Sequence, residues 1–367
     1  MDNIIKQILT TEEEASIRLR SIYEQYGYSQ FKMSKFEEYD LYATNKDFLQ
    51  SKGIISFTDT NGKLMALKPD VTLSIVRRMQ DKLTSLKKLY YNENVYRVDK
   101  DTQSYKEFLQ VGLECLGQID IYNTLEVIAL ACKSLESISP NYILTLSHMG
   151  ILNRLLAALQ LPTSAAAPIL KFIGEKNIHG IKDLCQQYQI SQTDSTNLVT
   201  CLTYYGDAKT VVQSLKDSCF YSSISDYVEE LEVISSNLNK MGYKSIQIDF
   251  STTNDMNYYN GILFQGFISN IPSAIVSGGR YDNLLNKMGK NYGGIGFAFY
   301  INLLSYLPSF DKSYDIDVLL TYDSNCNIQD VINSAHKLIT SGKRIQVQNY
   351  IPKDIKYKQI VKLGKGG

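Results

Sequence analysis

Apolar residues near the start of the chain fall at Leu19, Ile22, Tyr23 and Tyr26, the i, i+3, i+4, i+7 spacing of one buried helix face. Thr11, with Glu14 three positions on, has the form of a capping box, so a helix is predicted from Thr11 to a stop at Gly27. From about residue 50 to 117 the period falls to two, and GIISFTD, KLMALKP, KLYYNENVYRV and FLQVGLECLG read as strands. Their connections are too short for crossover helices, which predicts an antiparallel sheet. Leu125, Ile128, Ala129, Cys132 and Leu135 restore helical spacing. A mostly helical insertion is expected over about 118–242, including ILNRLLAALQL and a helix carrying Tyr227, Leu231, Ile234, Leu238 and Met241. Strands then resume. Ile246, Ile248 and Phe250 alternate, and Asn260-Gly261 has the composition of a type I′ hairpin turn. AIVSGGRYDNLL and GGIGFAFYINLL each read as a strand feeding a helix through glycines. Phe310 opens a change of texture: DIDVLLTY as a strand, a helix through Val331, Ala335, Leu338 and Ile339 ended by Gly342, and RIQVQ as a second strand. The expected organisation is a domain over 1–309 and a small C-terminal α/β unit over 310–367.

Composition narrows the classes. The 367 residues include 38 Lys or Arg and 38 Asp or Glu, a balance that argues against a polyanion such as nucleic acid as the main partner. With 44% hydrophobic residues the chain can bury a large core, which excludes wholesale disorder. No apolar run reaches the ~18 residues of a membrane span, and MDNIIKQILTTEEEASIRLR has no long apolar signal core. A cytoplasmic protein with no membrane association is expected. Six cysteines without a Cys-x-x-Cys pair, and only three histidines, argue against a metal centre, and the cysteines read as small core residues. From Lys343 onward seven Lys or Arg face one acid, Asp354, which reads first as a solvated face.

Candidate chemistry lies in the strand group. If FLQVGLECLG is a strand, Phe108, Gln110, Gly112 and Glu114 share one side. An amide and a carboxylate then stand ~7 Å from the glycine between them, and Gly112 leaves an empty place. That arrangement suits a small zwitterion; a solvent-facing strand side is the alternative. In LKPDVTL, Asp70 and Thr72 share a face if the segment is extended, as Pro69 favours. Asp70 is then a candidate ammonium ligand, against a turn aspartate. Arg97 is a candidate for a carboxylate or phosphate, against a surface pair with Asp99.

In this order the pieces resemble the catalytic core of class II aminoacyl-tRNA synthetases, and most closely the histidyl-tRNA synthetases. Lys68-Pro69-Asp70-Val71-Thr72 is similar to that family's Arg-Pro-Glu-Gly-Thr, and VYRVD with YKEFLQVGLECLG to its motif 2 strands. Asn254 to Tyr259 resembles the histidine-specific Arg-Gly-Leu-Asp-Tyr-Tyr, Gly278 to Asp282 resembles Gly-Gly-Arg-Tyr-Asp, and GIGFAFYINLL resembles motif 3. The resemblance covers about residues 10–305. It implies an α+β fold: a class II synthetase-like antiparallel sheet flanked by helices, with a helical insertion and the small C-terminal unit. It also implies a histidine site in which Asp70, Thr72 and Gln110 surround the α-ammonium group, with Glu114 and one or both of Tyr258 and Tyr259 at the imidazole. Alternation in a regular strand would let only one of the two tyrosines face the ligand.

The departures bear on activity. Asn254 and Leu303 stand where the family has its histidine-specific and motif 3 arginines, Asp99 replaces a glutamate, and Arg97 remains. Amino-acid activation gathers negative charge on ATP that fixed cations must meet. At ~3 kcal/mol for each lost stabiliser, two slow the chemistry on the order of 10⁴-fold. Losing ATP contacts while keeping amino-acid contacts resembles the regulatory subunits of ATP phosphoribosyltransferase, to which NDMNYYNGILFQGFI and MALKPDVTLSIVRRM are similar. That resemblance implies no catalytic residue or cofactor, a homodimer through the core, assembly with short-form catalytic subunits as a hetero-octamer, and histidine as effector, either in the ancestral pocket or at the subunit interface. Two readings compete: a divergent histidyl-tRNA synthetase, and a nucleic-acid accessory protein that uses the basic tail.

Overall fold

The computed structural model describes residues 9–46, 49, 53–98, 104–251, 258–307 and 314–364. The chain divides into two compact units, Ala15–Tyr306 and Met1–Glu14 with Leu307–Gly367. Asp99, Asn254 to Asn257 and the expected boundary at Phe310 lie outside the described residues.

In chain order the larger unit carries α1 (Thr11–Gln25, shared with the smaller unit), β1 (Ser29–Gln30), β2 (Phe36–Glu38), α2 (Tyr39–Ala43), β3 (Ser56–Thr58), β4 (Leu64–Leu67), α3 (Val71–Arg78), β5 (Lys87–Val98), β6 (Tyr105–Gly117), α4 (Ile121–Ile138) and β7 (Tyr142–His148). There follow α5 (Met149–Ala158), α6 (Thr163–Gly174), α7 (Ile178–Gln187), α8 (Gln192–Thr203), β8 (Tyr205–Asp207), α9 (Ala208–Lys216) and α10 (Ser225–Lys240). The unit closes with β9 (Ile246–Asp249), β10 (Ile262–Ile268), β11 (Val276–Arg280), α11 (Asp282–Lys287) and β12 (Gly293–Tyr300). Nine strands form one mixed sheet in the order β1-β5-β6-β12-β11-β10-β7-β9-β8, and β2-β4-β3 form a small antiparallel sheet. The centre of the large sheet is antiparallel, while β1 with β5 and β7 with β9 run parallel.

Burial explains the two-sidedness. Phe297 of β12, opposite Leu113 of β6, meets the ring of Tyr23 on α1 edge-on at 5.9 Å. On β10, Gly266 leaves room for Leu135 of α4. Side chains of opposite parity on these strands, Gln110, Gly112 and Glu114 among them, face the other way. The α4 helix is fixed at its start by Asp120, which accepts from the Asn123 N–H while Asn123 caps back.

Several local expectations shift. The first capping box is formed by Thr10 and Glu13, one residue before the pair read from the sequence, whereas Gly27 ends the helix with φ near 80° as expected. Residues 118–242 are not an uninterrupted helical insertion, because Tyr142–His148 forms a strand of the large sheet between β10 and β9. Its alternating YILTLSH pattern is short and lies between two long helices, where a helical reading absorbs it. Asn260 and Gly261 lack the positive φ that a type I′ turn needs. Instead the Asn260 N–H donates to the Arg280 carbonyl and the Gly261 carbonyl accepts from Met149 N–H, tying this segment to β11 and α5. The glycines of β11 and β12 lie within the strands rather than in turns. Four cysteines are buried, but Cys219 is exposed and Cys326 half-buried, so those two are not core residues.

The smaller unit is a three-stranded parallel sheet, β14-β13-β15, from β13 (Ile316–Tyr322), β14 (Ile345–Gln348) and β15 (Tyr357–Leu363), with α12 (Ile328–Thr340) as the crossover helix. The basic C-terminal run therefore supplies two of its strands. Among the described residues, no helix is long and apolar enough to cross a membrane, and no group of three His, Cys, Asp or Glu could hold a metal ion.

Candidate functional site

Three adjacent strands make the floor of a cavity. In register across them lie Gln110 and Tyr300, then Gly112, Ala298 and Ser277, then Glu114, Gly296 and Gly279. Small residues dominate because large side chains from elsewhere use their space. A Cβ on Gly112 would collide with the hydroxyl of Tyr91, which stands opposite it on β5, and a Cβ on Gly296 would collide with the Glu114 carboxylate. The expected empty place at Gly112 is thus filled by the Tyr91 ring. A Cβ on Gly279 would stand 2.7 Å from the Tyr259 ring.

The wall above this floor is the corner before α3. Asp70 is extended as expected, but the extended run ends there: it is the N-cap of α3, which takes in Thr72, and its carboxylate accepts from the Leu73 N–H at 2.8 Å. Asp70 and Thr72 therefore reach the cavity from a cap and a first turn rather than from one strand face. Three ties hold the corner to β5. The Lys68 ammonium, fully buried, pairs with Glu93 at 2.7 Å; Tyr96 N–H donates to the Lys68 carbonyl at 2.9 Å; and Arg97 Nε donates to the Pro69 carbonyl at 3.0 Å.

Glu114 is the electrostatic centre. It is 2% exposed and accepts from the Thr72 hydroxyl at 2.6 Å and from the Tyr281 hydroxyl at 2.5 Å. Burial pushes its carboxyl up to about 8, helped by the nearby Asp70 charge and opposed by those two hydroxyls. Asp70 is raised as well, by burial first, with the Leu73 N–H and Arg97 pulling it back. The hydroxyls of Tyr91, Tyr258 and Tyr281 are held far above their usual range by burial and by these carboxylates. The buried Glu114 and half-buried Asp70 carboxyls within a ring of hydroxyls, and Arg97 as the cation among the described lining residues, make a site that favours a ligand bringing positive charge or N–H donors to the Glu114 end.

The cavity opens to solvent, and its space of about 440 Å³ includes part of that opening.

All seven residues singled out in the sequence, Asp70, Thr72, Arg97, Gln110, Glu114, Tyr258 and Tyr259, line this one cavity. Tyr258 and Tyr259 both do so, with ring centroids 4.8 Å apart. Strand alternation does not apply to them, because they precede the start of β10 at Ile262. Leu303, at the place of the expected motif 3 arginine, is half-buried on a short 3₁₀ segment, Ile301–Tyr306. Sequence reasoning missed Tyr91, Ser277, Tyr281, Ala298 and Tyr300. The glycine within β6 was the available signal for Tyr91, since a strand glycine marks a close approach. Tyr281 sat inside Gly-Gly-Arg-Tyr-Asp, where only the glycines drew notice.

The family model for histidyl-tRNA synthetase matches residues 4–304. An ATP phosphoribosyltransferase regulatory subunit from Oceanobacillus iheyensis is 29% identical over 354 residues, 94% of this chain and 84% of the relative. One from Caldanaerobacter subterraneus subsp. tengcongensis is 30% identical over 288 residues, 77% of this chain and 74% of the relative. Among solved structures, an ATP phosphoribosyltransferase regulatory subunit/histidyl-tRNA synthetase from Bacillus halodurans superposes with a TM-score of 0.77 at 22% identity, over 96% of this chain and 93% of that one. This last likeness supports the α+β class II synthetase fold.

Proposed function

The chain belongs to the histidyl-tRNA synthetase family and, within it, to the ATP phosphoribosyltransferase regulatory subunits, and from that membership we propose that it acts without catalysis of its own on a short-form catalytic subunit. In this reading it is required for that subunit's turnover and carries feedback inhibition by histidine in the first step of histidine biosynthesis. It dimerises through the synthetase-like unit and joins catalytic subunits in a hetero-octamer. Histidine occupies the cavity over β6, β12 and β11. Asp70, Thr72 and Gln110 meet its ammonium group, Glu114, Tyr258 and Tyr259 its imidazole, and Arg97 its carboxylate.

The observation that carries the reading is the charge pattern of the cavity. Glu114 is buried and Asp70 half-buried in this cavity, with Arg97 as the described lining cation. A zwitterion with a donor-rich side chain complements that pattern. The triphosphate of ATP does not, because its charge would meet Asp70 and the Glu114 carboxyl with one guanidinium to offset it. Leu303 instead of an arginine points the same way.

Regulation follows from linkage. Histidine that contacts the lining side chains differently in the active and inactive arrangements of the complex differs in affinity between them. A coupling of ~1–3 kcal/mol, a five- to 150-fold difference in affinity, suffices for feedback. The test is reconstitution: the chain is mixed with a short-form ATP phosphoribosyltransferase, and assembly, turnover and inhibition by histidine are measured. Activation together with histidine sensitivity is expected. Histidine-dependent ATP–pyrophosphate exchange by the purified chain at a synthetase's rate would overturn the proposal.

A further inference from the structure

The middle of the cavity floor is a seat of small residues between the Glu114 end and the Arg97 end. Ala298 lies opposite Gly112 on one side and Ser277 on the other, so the three Cα atoms span about 10 Å across two strand spacings. Tyr91 fills the place above Gly112, and Tyr259 fills the place above Gly279, the next floor position along from Ser277. Above Ala298 there is only a methyl group. The seat is therefore walled by two tyrosine rings and bordered by the Ser277 side chain.

Ser277 is 7% exposed and lines the cavity, and its Oγ has no hydrogen-bond partner. A buried hydroxyl without a partner is unfavourable, and native interiors keep one chiefly where a ligand or a water completes it. Nothing in the packing explains the choice, since alanine would fit the same floor position and leave no polar atom stranded. Serine here adds polarity that only an occupant of the cavity can use.

We propose that Ser277 is a specificity-determining residue whose hydroxyl hydrogen-bonds the polar substituents on the α-carbon of the bound amino acid. The assignment rests on the amino-acid reading of the cavity and deepens it. Position selects the α-substituents over the side chain. Glu114, an acceptor held in place by the Thr72 and Tyr281 hydroxyls, makes its end the nitrogen-reading end. Arg97 comes from the far end of β5 and reaches the cavity beside the Asp70 corner, its Nε on the Pro69 carbonyl at 3.0 Å. Ser277, in the row next to Glu114 on the side toward Arg97, meets the part of the ligand between imidazole and carboxylate.

The test compares the wild-type chain with Ser277→Ala at full length, using L-histidine by isothermal titration and 4-methylimidazole, the side chain alone, by ligand-observed NMR. Histidine is expected to bind about tenfold more weakly to the variant, with 4-methylimidazole unchanged and the ligand-free melting temperature level or raised. That combination separates a ligand contact from a structural role, which would lower the melting temperature. Equal histidine affinity in both proteins would mean that the hydroxyl serves a water only, and equal weakening of both ligands would mean that it reads the ring; either result overturns the assignment. A wild-type chain that binds no histidine removes the amino-acid reading and this assignment with it, whereas a variant that binds like wild type removes the assignment alone.

Discussion

Replacing Glu114 by Gln should change how the ligand-free protein responds to pH. Burial raises this carboxyl from 4.5 to about 8, so between those values the folded state holds a proton that the unfolded state has released. Stability contributed by the group is then fully present below about pH 4.5 and is lost as pH rises through 8. At 1.36 kcal/mol per unit, the span of about 3.5 units corresponds to about 5 kcal/mol, an upper bound because a little water reaches the cavity. Asp70 titrates in the same direction and is coupled to Glu114, but it is present in both proteins. Glutamine keeps a carbonyl that accepts from Thr72 or Tyr281 and carries no charge. The assay is urea unfolding of both proteins at half-unit steps from pH 5 to 8.5. Wild type should lose up to about 1.4 kcal/mol more per pH unit than the variant, the variant should be the more stable at pH 8, and saturating histidine should reduce the wild-type slope by pairing with the carboxylate. Parallel curves for the two proteins would refute the claim that burial raises the Glu114 carboxyl despite its two hydroxyl donors.

Further outcomes follow from the same geometry. Asp70→Asn preserves the N-cap of α3, since the two residues cap equally well, so its melting curve should match wild type within about 0.5 kcal/mol while histidine binding weakens; Asp70→Ala should lose about 1 kcal/mol of stability as well. Lys68→Met strands the Glu93 carboxylate and should destabilise by about 3–5 kcal/mol, with Glu93→Gln in the same chain restoring much of it in a double-mutant cycle. Gly296→Ala puts a methyl group where the Glu114 carboxylate lies; calorimetry should show about 1–3 kcal/mol of overpacking and titration a loss of histidine binding.

Residues whose role is local are legible in the chain alone. Period-two and period-3.6 spacing marks α1, β5, β6, α4, β13 and α12, because each buries one face and the alternation is a direct record of that face. The order of the short motifs, from Lys68-Pro69-Asp70 through Gly-Gly-Arg-Tyr-Asp, identifies the family, and the seven residues picked from it line one cavity. Alternation along FLQVGLECLG is enough to place Gln110 and Glu114 on one side, since register within a strand is fixed by the chain itself.

Contacts between distant segments are decided only by the tertiary structure. Whether Gly112 leaves a hole depends on β5 placing Tyr91 opposite it, and pairing register between strands is set by the whole sheet rather than by either strand. Asp70 becomes a helix cap because α3 begins beside it, which the short run VTLSIVRR does not separate from a strand by pattern alone. The strand Tyr142–His148 takes a place inside the sheet between β10 and β9, partners that come far later in the chain. The elevated carboxyl of Glu114 and the stranded hydroxyl of Ser277 are likewise properties of burial. The chain names which groups it carries and in what local order; only packing fixes how much water and how many partners each one keeps.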